Sequence, residues 1–188
     1  STEVYGERIA PFGADSLTVN GYLGTDGIEP ALKTGGSIFV LVKTSNKSSG
    51  ELQDRRLCDG KTIYETMGDM CEKWGEKYMG SYGYSAVGAV VGATYPAMLA
   101  EMREKLPHTF FLVPGYGAQG GGAEGVAKGF DENGLGAIVN SSRAIMCAYK
   151  KEGCDEHDYA GAARREALRM KEDITSHIPA IKAPSQDK

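Results

Sequence analysis

The chain of 188 residues is long enough for one sizeable hydrophobic core and short for two. Its net charge of −4 provides no basic stripe for a polyanion, which argues against nucleic acid as the main partner. The net charge remains compatible with a small phosphorylated ligand, because such a ligand needs only one or two local cations. No apolar stretch reaches the roughly 18 residues of a membrane span, and the first residues lack the basic and apolar parts of a signal peptide.

The cysteines and histidines show no metal-ligand spacing. Cys58, Cys71, Cys147 and Cys154 form no C-x-x-C pair, and the three histidines lie apart from them and from one another. This pattern predicts free thiols in a reducing compartment, which we take to be the cytoplasm. It predicts neither a zinc site nor any other bound metal.

Five short apolar runs, most of them bounded by glycine, proline or asparagine, predict strands that are buried on both faces of a parallel sheet. These strands are, in chain order, Ser16–Val19, Ser37–Val42, Ala86–Val91, Thr109–Val113 and Gly136–Val139. A helical pattern follows each strand. The helices are predicted over Asp26–Lys33, Gly60–Met79, Pro96–Leu106, Ala123–Phe130 and Ser142–Lys150. Because strand and helix alternate five times, the sequence predicts an α/β fold with a parallel sheet.

The two ends of the chain have different patterns. Ser1–Pro11 is predicted to be the end of a helix that leads into the first strand. Cys154–His177 is predicted to be a polar helix that covers the domain with its charged side in solvent. No internal linker interrupts the chain, so residues 1–188 are predicted to form a single unit in which 154–188 is a peripheral helix and tail.

Ligands of parallel α/β folds bind at the carboxyl ends of the strands, and two loops there predict an anion site. The run Pro114–Gly122 follows the fourth strand; its glycines can adopt positive φ and bring backbone amides to an anion, and Gln119 can donate hydrogen bonds. Asn140-Ser141-Ser142-Arg143 follows the fifth strand, where free amides at a helix start and a guanidinium suit an anion. Two such loops in succession are typical of the phosphate site of TIM barrels. The alternative is a glycine-rich turn with a capping serine and a surface arginine.

Two further motifs leave alternatives open. Gly115-x-Gly117-x-x-Gly120 also matches the dinucleotide fingerprint, but no acidic residue follows about twenty positions later, so a Rossmann site is not predicted. Lys43-Thr44-Ser45-Asn46 changes from apolar to polar at a strand end, which predicts either ligand contacts or an ordinary strand-to-loop transition. No Ser-His-Asp set and no paired carboxylates occur at strand ends, so the predicted site can bind phosphate but has no evident general acid or base.

Taken together, the motifs resemble the C-terminal portion of orotidine 5′-phosphate decarboxylase in its longer bacterial-type subfamily. The similarity extends to about Tyr149. The motifs that carry it occur in this order: Asp15-x-x-Thr18-Val19-Asn20-x-Tyr22-Leu23-Gly24, Lys43-Thr44-Ser45-Asn46, Val91-Gly92-Ala93-Thr94, Val113-Pro114-Gly115-x-Gly117-Ala118-Gln119-Gly120-Gly121 and Asn140-Ser141-Ser142-Arg143. The resemblance implies a TIM (β/α)₈ barrel of which this chain supplies about the last five β/α units. It also implies a homodimer and a reaction without a cofactor.

The resemblance further implies decarboxylation of orotidine 5′-monophosphate (OMP) to uridine 5′-monophosphate (UMP), the last step of pyrimidine nucleotide synthesis. Carried over by position, Gln119, Arg143 and the backbone amide of Ser142 would bind the 5′-phosphate. Ser45 would hydrogen-bond the pyrimidine. The partners implied are the nucleotide, a second subunit and an N-terminal segment of the enzyme that precedes Ser1, and neither nucleic acid nor a membrane is among them.

Three more residues take roles from the resemblance, and one family motif is absent. Pro114 and Tyr116 would lie in the loop that closes over the ligand, and Thr2 would reach across the dimer to the neighbouring site. The family's catalytic Asp-x-Lys-x-x-Asp motif does not occur in these 188 residues and is expected upstream of Ser1. Its lysine would protonate the carbon that loses carbon dioxide, so this chain alone is predicted to be inactive. The alternatives are a non-catalytic nucleotide-phosphate-binding module and another phosphate-binding barrel lyase or isomerase.

Overall fold

The computed structural model describes residues 2–9, 13–117, 122–153 and 156–182. Strands in this part of the chain are β1 (Thr2–Val4), β2 (Glu7–Ile9), β3 (Ser16–Val19), β4 (Ser37–Lys43), β5 (Val87–Val91), β6 (Phe111–Pro114) and β7 (Ala137–Asn140). The first two form an antiparallel hairpin. The other five form a parallel sheet in chain order, so each strand lies beside the next one along the chain.

Helices connect the strands of the parallel sheet. They are α1 (Thr25–Leu32), α2 (Ile63–Gly75), α3 (Pro96–Lys105), α4 (Ala123–Ala127), α5 (Ser142–Met146), α6 (Ala148–Glu152) and α7 (Tyr159–Thr175), with short 3₁₀ helices at Gly21–Leu23, Lys47–Glu51 and Glu156–Asp158. The five β/α units predicted from the sequence are confirmed. None of the helices in the described ranges combines the length and the apolar character that crossing a bilayer requires.

The main core lies between the sheet and its helices. Strand β5 is buried along its whole length, as expected for a central parallel strand. Its Val87, Ala89 and Val91 pack into the same core as Phe111 and Met102. Burial on both faces explains why β5 is a continuous apolar run in the sequence. The same burial, predicted for all five strands, is wrong for β3 and β7, which lie at the two edges of the sheet and are exposed at several positions.

Helices α1 and α2 are joined by the only tryptophan of the chain. Trp74 is 9% exposed, and its indole N–H donates a hydrogen bond to Thr25 Oγ1 over 2.9 Å. Cys71, one turn earlier on α2, is fully buried, and this burial raises the pKa of its thiol. Cys58, Cys71 and Cys147 are free thiols, as predicted, while Cys154 lies outside the described residues.

The opposite face of the parallel sheet is apolar but less covered. Leu41, Val90, Leu112 and Ile138 are lateral neighbours in the register of β4 to β7, so their side chains lie on one face. Val90 is 5% exposed, whereas Leu41 and Ile138 are 36% and 52% exposed. On this face, the exposed fraction of the apolar side chains therefore increases from the centre of the sheet towards its edges.

Two predictions of local structure are wrong. The N-terminal segment forms the β1–β2 hairpin instead of a helix, with Tyr5 and Gly6 at its turn with φ of 53° and 79°. Two successive positive φ angles are typical of a type I′ turn, whose twist suits an antiparallel pair. The helix predicted over Ser142–Lys150 is divided at Cys147 into α5 and α6. This division allows both short helices to pack against α7.

The start of α2 is fixed by a capping box. Thr62 Oγ1 accepts a hydrogen bond from the Glu65 amide, and Glu65 Oε2 accepts one from the Thr62 amide over 2.7 Å. Lys105 on α3 lies 2.7 Å from Glu65 Oε1. The Lys105 ammonium and the bonds from Thr62 hold the pKa of Glu65 at about 2, below its ordinary value of 4.5.

Replacing Glu65 by alanine is expected to lower the free energy of unfolding by about 1 kcal/mol at neutral pH, because the cap and the link to α3 are lost together. The pKa of Glu65 is lowered by folding, so its stabilisation is complete above pH 4.5 and is lost as the pH falls towards 2. Urea unfolding at neutral pH and in steps below pH 4.5 should show the difference between wild type and variant shrinking. Glu104→Ala, at an exposed position of α3, is the matched control; an equal loss there would contradict the assignment to the cap.

Candidate phosphate-binding site

The carboxyl ends of four neighbouring strands are joined at one edge of the sheet. The Gly92 amide after β5 donates to the Lys43 carbonyl of β4 over 2.7 Å, and the Ala93 amide donates to the Pro114 carbonyl of β6 over 3.0 Å. Pro114 is in turn the register partner of Asn140 in β7. The loops that the sequence predicts to carry the site are thus brought together by backbone pairing.

A pocket of about 140 Å³ opens at this edge. Its lining comes from the loops after β4, β6 and β7: Ser45, Pro114, Gly115, Tyr116, Asn140, Ser141, Ser142 and Arg143. The volume is below the roughly 300–1,000 Å³ of a site for a whole drug-sized ligand. It suits one end of a larger molecule, and its polar lining suits an anionic end.

Glycine is required at two of the described positions in the loop after β6. Gly115 and Gly117 have φ of 106° and 78°, a region that side-chain-bearing residues rarely adopt. A Cβ on Gly115 would lie 3.5 Å from the Cβ of Ser45, so the loops after β4 and β6 meet closely here. The positive φ angles predicted for this run are confirmed at these two residues.

Arg143 supplies the cation of the pocket. Among the described residues that line it, Arg143 is the one with a permanent positive charge, and its side chain is exposed. The ion pairs found in the described ranges do not include Arg143. Helix α5 has only five residues, so its macrodipole is small. The free amides of its first turn and the guanidinium are therefore the main groups for an anion.

Ser45 enters the pocket from a loop that Gln53 fixes. The Gln53 amide group accepts from the Thr44 N–H over 3.0 Å and donates to Thr44 Oγ1 over 2.9 Å, and Thr44 Oγ1 donates to Asn46 Oδ1 over 2.6 Å. Thr94 Oγ1 donates to the Ser45 carbonyl over 3.4 Å. Thr44 and Asn46 thus bond within the loop, and Ser45 is the residue of this motif that lines the pocket. The sequence did not single out Gln53, because nothing local marks its partner nine positions away.

Lys43 does not belong to the described lining of this pocket and instead lines a second cavity with Asp54 and Tyr64. The residue is 3% exposed, and its ammonium lies 2.5 Å from Asp54 Oδ1 and 3.3 Å from Ser49 Oγ. It also lies 5.6 Å from the centre of the Tyr64 ring. The charge of Lys43 is thus paired with Asp54, whose side chain is half exposed.

The remaining predicted site residues are Pro114, Tyr116, Gln119 and Thr2, and the structure describes only some of them in full. Pro114 and Tyr116 line the pocket, but Tyr116 is only 3% exposed and its hydroxyl donates to Asp173. Gln119 lies outside the described residues. Thr2 pairs with Ile9 through the β1–β2 backbone, and its side chain is not described. The roles of Gln119 and Thr2 stay predictions.

Consecutive β/α units with a polar pocket at the carboxyl edge of the sheet are the arrangement in which TIM barrels bind phosphate groups. The profile of the orotidine 5′-phosphate decarboxylase / HUMPS family matches residues 2–153. The chain belongs to this family, and the resemblance recognised in its motifs is confirmed.

Individual relatives agree with the family match. The chain is 46% identical over 173 residues to orotidine 5′-phosphate decarboxylase of Rhodopirellula baltica, with 88% of this chain and 57% of the relative covered. Identity to the Clostridium perfringens enzyme of the same name is 44% over 171 residues, covering 89% of this chain and 59% of the relative. The chain thus spans less than two thirds of these relatives.

Solved structures of related proteins share the fold. OMP decarboxylase of Leishmania donovani superposes with a TM-score of 0.65 at 31% identity, covering 85% of this chain and 57% of that one. UMP synthase of the same organism gives a TM-score of 0.67 at 32% identity, covering 87% of this chain and 33% of that one. The five units described above are accordingly β/α units of a TIM barrel.

Proposed function

We propose that this chain is the substrate-binding part of an enzyme that decarboxylates OMP to UMP. In this proposal Arg143 and the amide of Ser142 bind the 5′-phosphate, with Gln119 as a further donor, and Ser45 bonds the pyrimidine. The observation that carries the proposal is the pocket in which Ser45, Ser142 and Arg143 meet, in a chain that matches the decarboxylase family over residues 2–153.

The chemical step requires groups that the described pocket does not contain. Loss of carbon dioxide from the pyrimidine leaves a carbanion, which needs a proton donor and nearby positive charge. No lysine and no carboxylate occur among the described residues that line the pocket, and Lys43 is engaged with Asp54. We therefore assign the catalytic Asp-x-Lys-x-x-Asp motif to a segment on the N-terminal side of this chain. Binding of the 5′-phosphate, which does not itself react, would contribute free energy that orients the pyrimidine ring for decarboxylation.

Features of the sheet support the addition of such a segment. Strands β3 and β7 each have a neighbour on one side only among the described strands, and Leu41 and Ile138 are exposed on the apolar face. Open edges and an open apolar face are costly in water, and closure into a barrel removes both. The relatives, which are longer than this chain, have room for the additional β/α units.

The assembly is proposed to be a cytoplasmic homodimer. Large apolar side chains are exposed in loops at the carboxyl edge of the sheet, namely Tyr22, Leu23, Leu52 and Tyr95. Apolar residues concentrated near a ligand site favour a protein interface. In the proposed dimer Thr2 would reach the site of the other subunit.

The test is to complete the barrel and measure turnover. The chain is fused behind the upstream region of the Rhodopirellula baltica relative, and carbon dioxide release from OMP is measured for the fusion and for the chain alone. We expect turnover by the fusion and none by the chain. The same fusion with the lysine of the upstream Asp-x-Lys-x-x-Asp motif replaced by alanine is the control and should be inactive.

Two results would reject the proposal. A folded fusion that binds UMP but releases no carbon dioxide would favour the non-catalytic phosphate-binding module. A fusion that binds inorganic phosphate but neither UMP nor OMP would instead favour another phosphate-binding barrel enzyme.

A further inference from the structure

Tyr116 connects the loop after β6 to two other parts of the protein. Its carbonyl accepts a hydrogen bond from Ser141 Oγ over 3.4 Å, which joins it to the turn that precedes Arg143. Its hydroxyl donates to Asp173 Oδ2 on α7. A single residue of the pocket lining is thus fixed through its backbone on one side and through its side chain on the other.

Helix α7 is firmly attached where it receives this bond. It has 17 residues, and its buried side includes Met170 and Ile174, which are 6% and 7% exposed and belong to the main core. Asp173 lies beside Ile174 and one turn after Met170, so it faces the same side of the helix. The helix also packs against α4, α5 and α6, the helices that follow the two phosphate loops. The carboxylate is therefore held in a fixed place behind the pocket.

Electrostatic interactions favour a persistent hydrogen bond between the Tyr116 hydroxyl and the Asp173 carboxylate. Burial raises the pKa of the Tyr116 hydroxyl, and the neighbouring Asp173 carboxylate raises it further, while Arg169 acts in the opposite direction. The hydroxyl thus stays protonated at neutral pH and donates to a charged acceptor, which is the stronger kind of hydrogen bond. The Arg169 guanidinium is itself paired with Glu166 at 2.7 Å.

We propose that Asp173 is a positioning residue for the phosphate site, holding Tyr116 so that the loops after β6 and β7 keep the shape that binds an anion. The family match ends at residue 153, so it assigns nothing to this helix. The inference rests on the proposed phosphate site, and it gives α7 a part in ligand binding that a solvated cover helix would not have. Asp173 itself touches no ligand in this account and acts only through Tyr116.

The test compares Asp173→Ala, Tyr116→Phe, Asp173→Asn and the control Glu172→Ala, whose exposed side chain neighbours Asp173. The first measurement needs no ligand and follows hydrogen exchange at the amides of residues 115–117 and 141–143. The second is calorimetric titration with UMP. Asp173→Ala and Tyr116→Phe should speed exchange at both segments and weaken UMP binding about tenfold, as expected for losing a hydrogen bond to a charged group. Asp173→Asn keeps an acceptor oxygen but not its charge and should restore both in part, and Glu172→Ala should change neither.

The outcomes separate this inference from the proposed function. Equal exchange in wild type and in Tyr116→Phe would overturn the inference, even where UMP binds normally. Faster exchange in Tyr116→Phe and Asp173→Ala with partial restoration in Asp173→Asn would uphold it, even where the wild type binds no UMP and the proposed function fails. Should Asp173→Ala not fold, Tyr116→Phe and Asp173→Asn carry the same comparison.

Discussion

Replacing Arg143 by alanine is expected to weaken UMP binding by about 10- to 100-fold. The guanidinium is the cation among the described residues of the pocket, and its charged bonds to a phosphate are worth about 1.5–3 kcal/mol. Because α5 is short, little dipole remains to compensate for the lost charge. Calorimetric titration of the chain with UMP, and with uridine as the ligand that lacks the phosphate, measures the effect.

Two further variants are the controls for this experiment. Arg164→Ala removes an exposed arginine of α7 and should leave UMP affinity unchanged. Arg143→Lys keeps the charge but not the two-pronged geometry, so an intermediate affinity is expected. Uridine binding should be the same in all of these proteins. Unchanged UMP affinity in Arg143→Ala would remove Arg143 from the site.

Replacing Gly92 by alanine is expected to disturb both the fold and the position of Ser45. A Cβ at Gly92 would lie 2.9 Å from Ser45 Cβ and 3.0 Å from both its Cα and its backbone nitrogen. These are backbone or near-backbone atoms, which cannot turn aside as a long side chain would. We expect the free energy of unfolding to fall by about 1–3 kcal/mol, the usual cost of overpacking, and uridine affinity to fall with it.

Gly36→Ala provides the matched comparison at the entry to β4. There the added Cβ would meet the Asp15 carbonyl at 3.5 Å, an ordinary van der Waals contact. Urea unfolding of both variants and titration with uridine should show a loss for Gly92→Ala and little change for Gly36→Ala. Equal stability and equal uridine affinity in both would contradict the close contact between β5 and the Ser45 loop.

The strands and the location of the pocket were predictable because their causes are local. Ser16–Val19 was predicted with its observed bounds, and the other parallel strands differ by one or two residues at their ends. Apolar, β-branched runs identify the strands of a parallel sheet, and the carboxyl edge of that sheet then locates the loops. The runs do not distinguish the buried central strand β5 from the exposed edge strands β3 and β7. The two positive-φ glycines also follow from the composition of their loop.

The parts that could not be predicted depend on partners distant in sequence. Whether Lys43 faces a ligand or a protein carboxylate depends on Asp54, eleven positions away, and the bond of Tyr116 depends on Asp173, 57 positions away. The hairpin at the N-terminus was missed because Tyr5 takes a positive φ, which is uncommon for a residue with a side chain. The division at Cys147 reflects packing against α7, which apolar periodicity within residues 142–150 does not contain.

The single tryptophan gives the protein a built-in optical reporter whose location matters for all of these measurements. Trp74 is a buried residue of α2 that is bonded to Thr25 of α1, and it is not among the described residues that line the candidate phosphate pocket. Its fluorescence should therefore shift to longer wavelength when the helical layer opens, because the indole then meets water. Occupation of the pocket should leave the emission unchanged. Unfolding can thus be followed by tryptophan fluorescence and ligand binding by calorimetry, and the two signals stay separate in the same protein.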